Sequence, residues 1–141
     1  MSRPHDNDHL ALLAEFMAAM GQPVSQGWED GRGFDLGRKL ITEEAKELED
    51  ALLALDWSDE PDIREAVVKE LADLVYVCWW LAARIGIDLN EALRLVHASN
   101  MSKLGPDGKP LRRKDGKILK GPNYKAPDLS GVARNVPVAL I

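Results

Sequence analysis

"ITEEAKELEDALLAL", residues 41–55, is the stretch on which the reading of this chain turns. On a helix at about 100° per residue with Glu44 at zero, Leu40, Leu48, Ala51, Leu52 and Leu55 fall between about −40° and +80°. Glu44 lies inside that apolar arc, where a soluble helix would carry a hydrophobe. Glu47 sits about 60° to one side, and Glu43 about 100° to the same side. Residues 65–85 repeat the figure. With Glu70 at zero, Ile63, Ala66, Val67, Leu74, Val77, Cys78, Leu81 and Ile85 make the stripe, and Asp73 lies at about −60°. Each helix has one carboxylate in its apolar stripe and another a turn later on the same flank.

Packing the two stripes together gathers Glu44, Glu47, Glu70 and Asp73 around one volume. Like charges and desolvation both oppose such a cluster. It can be relieved by protonation, by basic partners such as Lys39, Lys46 or Lys69, or by divalent cations. The donors are all hard carboxylate oxygens, and His5, His9 and His97 have no ligand spacing. That set suits Mg²⁺, with Mn²⁺ able to substitute, and not zinc or copper.

At 141 residues the chain is expected to form one domain, and 45% apolar with 29% charged residues is the balance of a globular protein. A net charge of −5 argues against nucleic acid as the main partner. Cys78, the single cysteine, excludes an internal disulfide and reads as a small buried hydrophobe. The apolar run around it, "LVYVCWWLAA", is too short to cross a membrane, and "MSRPHDNDHL" has no basic-then-apolar signal pattern. The expected place is the cytoplasm, with no membrane partner.

An all-α fold of four to five helices follows from the punctuation. Helices are expected over His9–Met20, about Leu36–Asp56, Pro61–Ile85 with Ser58 as N-cap, and from the N-cap Asp88 through "LNEALRLVHASNMSK". "GQPVSQGWEDGRGFDLG" reads as a loop by its glycines. Asp115-Gly116 signals a two-residue β-hairpin turn in a basic arm carrying Lys109, Arg112, Arg113, Lys114, Lys117 and Lys120. The expected divisions are a frayed segment 1–8, an all-α core 9–104, and a hairpin and tail 105–141. On the wheel Trp79 and Trp80 fall at about 180° and −80°, outside the main stripe. A helix apolar nearly all round must be covered on both sides, so Trp28, Trp79 and Trp80 point to a bundle completed by homo-oligomerisation.

The two acidic pairs, "EEAKE" then "KELAD", resemble the Glu-x-x-Glu, spacer, Glu-x-x-Asp motif of the MazG-like all-α nucleoside triphosphate pyrophosphatases. That superfamily includes dimeric dUTPases and phosphoribosyl-ATP pyrophosphatases. "ASNMSKL" and "DGKILKGPNYKAPDL" are similar to later segments of some members, so the resemblance covers roughly residues 10–129. It implies hydrolysis of the α–β phosphoanhydride of a nucleoside triphosphate, giving the monophosphate and pyrophosphate. Glu44, Glu47, Glu70 and Asp73 would then hold Mg²⁺, and Glu43 is the candidate base for the attacking water. Asn100, Lys103, Lys117 and Tyr124 are candidate substrate contacts. A homodimer or dimer of dimers is implied, with dUTP the leading substrate in a house-cleaning role.

Two readings compete from outside that class. A di-iron carboxylate bundle would need Glu-x-x-His on two helices, which this sequence lacks. A helical nucleic-acid-binding module could use the basic arm, but it leaves the matched carboxylates without a purpose. Within the class, phosphoribosyl-ATP pyrophosphatase is the alternative.

Overall fold

Asp8 starts the first helix by accepting a hydrogen bond from the backbone N–H of Ala11 at 3.2 Å, the usual N-cap arrangement. The computed structural model describes residues 7–134. Residues 1–6, with His5 and most of the expected frayed segment, and residues 135–141 at the end of the tail lie outside the described residues. Four helices follow: α1 (His9–Ala19), α2 (Gly31–Ala54), α3 (Pro61–Ile85) and α4 (Leu89–Met101). A two-stranded antiparallel hairpin, β1 (Leu111–Arg112) and β2 (Ile118–Leu119), comes after them. Residues up to Ile87 form one compact unit, and residues 88–134 form another.

In the first unit α2 and α3 run antiparallel and α1 packs on α3. Leu10, Leu13 and Met17 of α1 meet a core drawn from the last two turns of α3: Trp79, Trp80, Ala82, Ala83 and Ile85. The expectation that Trp79 and Trp80 await a partner chain is therefore corrected, because this unit buries both. The His9 ring lies 5.1 Å from the Trp79 ring, and Trp80 Nε1 donates to Gln22 Oε1 at 2.9 Å. A single-helix wheel could not foresee that α1 would lie against the back of α3. Trp28 stays 40% exposed and stacks on Phe34 with ring centroids 5.9 Å apart.

The second helix starts five residues earlier than expected, at Gly31 and not Leu36. Asp30 is its N-cap, accepting from the Gly33 N–H at 3.1 Å. Gly33 and Gly37 are no loop signal here. A Cβ on Gly37 would come 2.9 Å from Leu81 Cδ1, and one on Gly33 would strike the Asp30 carboxylate and lie 2.8 Å from Arg84 Nε. The two glycines, four residues apart on one helix face, let α2 approach α3. Arg84 Nε donates to Asp30 Oδ2, both side chains being mostly buried. Loop residues 25–27 complete this end, their N–H groups bonding the carbonyls of Ala83, Arg84 and Ile85 at 2.7–2.9 Å. Those carbonyls would otherwise be orphaned at the helix C-terminus. Gly86, at φ 91°, ends α3 in the left-handed conformation that glycine adopts freely.

In the second unit Asp88 caps α4 through the Glu91 N–H at 3.1 Å, as its capping-box pattern predicts. Ser99 Oγ donates to the Lys125 carbonyl at 2.7 Å, tying the later segment to the helix. Ser58 is not the N-cap of α3. Glu60 is, and Ser58 Oγ accepts from its N–H at 3.3 Å. The hairpin turn also differs from the expected two-residue form. That form with Asp-Gly needs positive φ at both residues, and of the two only Gly116 has it, at 89°. The Gly116 N–H instead bonds the Arg113 carbonyl at 2.9 Å, and the Arg113 N–H bonds that of Lys117 at 2.8 Å. Among the described residues no helix is long and apolar enough to cross a membrane.

Candidate metal centre

Beyond Gly37 the facing side chains of the helix pair become half-buried. Leu40, Leu48 and Ala51 of α2 and its C-cap Leu55 are intermediate in exposure, as are Ile63, Val67, Leu74 and Val77 of α3. Leu52, inside the expected apolar arc, is 47% exposed. Into this two-helix stretch the antiparallel register brings Glu44 and Glu47 opposite Glu70 and Asp73. Each offers one carboxylate oxygen, and those four oxygens lie within 4.8 Å of one another. Glu44, Glu70 and Asp73 are half-buried, and Glu47 is exposed.

Glu44 Oε2 and Glu70 Oε2 are buried with no hydrogen-bond partner among the described residues. Leaving a buried acceptor unsatisfied costs about 1–3 kcal/mol, and more for a charged group. These are the two carboxylates that fell within the apolar arcs. The rival reading, in which lysines neutralise the cluster, receives one lysine of the three. Lys69 Nζ donates to Asp73 Oδ2 at 2.6 Å and reaches Glu70 Oε1 at 3.5 Å. Its hydrogen bond to Asp73, then the charges of Asp73 and Glu70, push the Lys69 ammonium above the ordinary lysine value. Lys46 turns instead to Asp50, at 3.2 Å. Lys39 has no ion-pair partner among the described residues. Four carboxylates with one cation and two orphaned oxygens make a donor set that fits a hard divalent ion.

The remaining candidates divide by unit. Glu43 is exposed on α2 one residue before Glu44. With Arg38, Lys39 and Thr42 it lines a cleft of about 250 Å³. Asn100, Lys103, Lys117 and Tyr124 belong to the second unit: Asn100 on α4, Lys103 in the turn just after it, Lys117 in the hairpin and Tyr124 in the segment that follows. There the Lys103 N–H bonds the Asn100 carbonyl at 3.1 Å, and its own carbonyl accepts from Gly121 at 2.9 Å. Lys117 is exposed, and Tyr124 carries Lys120 Nζ 4.7 Å above its ring. Burial pushes the Cys78 thiol above its usual value, in keeping with an unreactive packing residue.

The sequence reading placed Arg38, Lys39 and Thr42 within α2 but gave them no shared role. It missed the Asp30–Arg84 contact because it placed the start of α2 too late. Asp30, three residues before Gly33, was the available signal for a cap.

Residues 13–100 match the family described as phosphoribosyl-ATP pyrophosphohydrolase. The chain belongs to that family. The match spans α2 and α3 whole, and with them all four clustered carboxylates. Membership makes the protein one of the MazG-like all-α nucleoside triphosphate pyrophosphatases, a hydrolase acting on phosphoric anhydrides. The family is typically metal-dependent, which agrees with the acidic cluster. Comparison with curated proteins finds no match.

Proposed function

We propose that this chain is a Mg²⁺-dependent pyrophosphohydrolase that splits the α–β phosphoanhydride of a nucleotide, releasing pyrophosphate and a monophosphate. The observation that carries this reading is the pair of orphaned oxygens, Glu44 Oε2 and Glu70 Oε2, in a cluster of four carboxylates. Glu44, Glu47, Glu70 and Asp73 are the residues that would hold the ion. Bound there, Mg²⁺ or Mn²⁺ supplies charge neutralisation for the phosphates and for the leaving pyrophosphate. The chain's own part is positional. Two rigid helices fix the carboxylates, and the apolar side chains around Glu44 and Glu70 limit water there. Glu43, one residue from the cluster and free of any partner among the described residues, is placed to accept the proton of an attacking water.

Asn100, Lys103, Lys117 and Tyr124 are proposed as substrate contacts, with residues 9–104 as the catalytic core and 105–141 as its arm. Two substrates lead. The motif resemblance favours dUTP, and the description of the matched family favours phosphoribosyl-ATP. The test is a panel of nucleoside and deoxynucleoside triphosphates plus phosphoribosyl-ATP, with Mg²⁺ or Mn²⁺, scored for both products. Paired release of pyrophosphate and monophosphate from one substrate supports the reading. Release of orthophosphate alone, or of nothing, defeats it. Supporting a homodimer or dimer of dimers are Leu53, Trp57, Val68, Leu71 and Val75, exposed by 53%, 89%, 68%, 51% and 47%. A solution mass of one chain would remove that proposal.

A further inference from the structure

Among the described residues Lys69 is the basic side chain bonded to the carboxylate cluster, and the reaction as described gives it no part. We propose that Lys69 is a tethered competitor of the divalent cation. It holds Asp73 and Glu70 when no ion does, releases them on loading, and so sets the divalent concentration at which the site fills. This rests on the cation reading of the cluster and adds to it a residue that opposes loading.

The contacts are those of a counter-ion shared between two ligands. Lys69 Nζ donates to Asp73 Oδ2 at 2.6 Å and to Glu70 Oε1 at 3.5 Å. Both acceptors lie on α3, the helix that carries Lys69 itself. Glu44 and Glu47 on α2 receive no bond from it, and Glu70 Oε2 stays unpartnered. An ammonium brings one charge and three donors. A divalent cation brings two charges and gathers about six oxygens. Lys69 therefore answers part of the cluster, and an ion that answers the whole of it claims the same two carboxylates. A lysine charge at hydrogen-bond distance from those ligands also repels the ion.

Lys46 on α2 supplies the comparison. It makes the same four-residue contact in the same order, reaching both oxygens of Asp50 at 3.2 Å. Both lysines are mostly exposed, and the difference lies in their acceptors. The Asp50 side chain is 60% exposed, whereas those of Asp73 and Glu70 are 38% and 17% exposed. Water and salt screen the Lys46 pair, which contributes little. The attraction between Lys69 and its half-buried carboxylates is screened less.

The contact is also built to be reversible. A permanent bridge in this fold looks like Arg84 with Asp30, where both side chains are mostly buried. The Lys69 side chain stands largely in solvent. Its flexible four-carbon stem can turn the ammonium into water without moving the apolar stripe of α3. Exchange of Lys69 for an ion therefore needs no rearrangement of the helix pair.

The test measures Mn²⁺ affinity, from the paramagnetic resonance of the free ion, and melting temperature with and without Mn²⁺. The proteins are wild type, Lys69→Met, Lys69→Arg and the control Lys46→Met. Methionine keeps most of the stem and removes the charge. Lys69→Met is expected to bind Mn²⁺ about tenfold more tightly than wild type, as for the loss of one opposing charged contact. It should melt below wild type only when no ion is added. Lys69→Arg, which keeps the charge, should bind no more tightly than wild type, and Lys46→Met should match wild type. Weaker Mn²⁺ binding by Lys69→Met overturns the proposal, because Lys69 would then position the ligands. Unchanged binding overturns it too, as does equal tightening in Lys46→Met, which would make net charge the cause. If neither wild type nor Lys69→Met binds Mn²⁺, the cation reading fails and takes the proposal with it. Binding by Lys69→Met alone would support both.

Discussion

The two ends of the α2–α3 pair are built on opposite plans. At the closed end Asp30 serves three groups at once: it caps α2, receives Arg84 and sits over Gly33. Trp80 finds Gln22, the α3 carbonyls find loop N–H groups, and α1 covers the rest. Nearly every polar group there has a partner. At the open end the same helices carry four carboxylates with one lysine and two unpartnered buried oxygens. One end uses its charge to hold the helices, and the other keeps charge unanswered. Stability and function are thus separated along a single helical hairpin. The satisfied end can hold the unsatisfied one in register.

The sharpest break in this comparison comes from Glu44→Gln and Glu70→Gln. Each is expected to lower turnover by at least about 100-fold, beyond the usual loss for supporting groups around a metal. A steady-state assay with Mg²⁺ checks it. At the closed end, Gly33→Ala should destabilise by about 1–3 kcal/mol, since overpacking there displaces the cap and the Arg84 contact. The helix-propensity gain of about 1 kcal/mol for alanine only partly offsets this. Urea unfolding measures it, and a neutral result would mean the two helices separate easily.

A smaller effect is expected from pH. The hydrogen bond from Arg84, and next the Gly33 N–H, hold the Asp30 carboxyl below its ordinary value of 3.8. Its contribution to stability is therefore fully present above about pH 4 and is lost as the pH falls through its lower folded value. Asp30→Asn should be less stable at neutral pH and should show a shallower acid loss than wild type. Parallel acid titrations followed by circular dichroism would show the difference.

The open end was the more legible of the two in the sequence. Glu44 and Glu70 stood out because a carboxylate inside an apolar arc violates the helical pattern, and the violation survives in three dimensions as a buried oxygen without a partner. The third helix could be bounded at both ends because Pro61 and Gly86 mark them chemically. The closed end was obscured because its signals have second meanings. Gly33 and Gly37 read as loop glycines, yet they are close-approach positions inside a helix. Trp79 and Trp80 read as surface for a partner, yet α1 of the same unit covers them. Both errors concern which helix lies against which, information carried by pairs of elements and absent from any one wheel. The Asp115-Gly116 turn was located correctly and its type was not, because the number of loop residues depends on how the strands pair.

The most direct test is the melting temperature of wild type and Glu70→Gln with and without Mn²⁺. If the open end is a cation site, wild type should be stabilised by Mn²⁺ through linkage to the folded state. Glu70→Gln, relieved of one repelling charge, should melt no lower than wild type without metal and should respond little to adding it. A wild type indifferent to Mn²⁺ and Mg²⁺, with Glu70→Gln less stable in their absence, would show that the carboxylates are structural. The account of the open end would then be wrong.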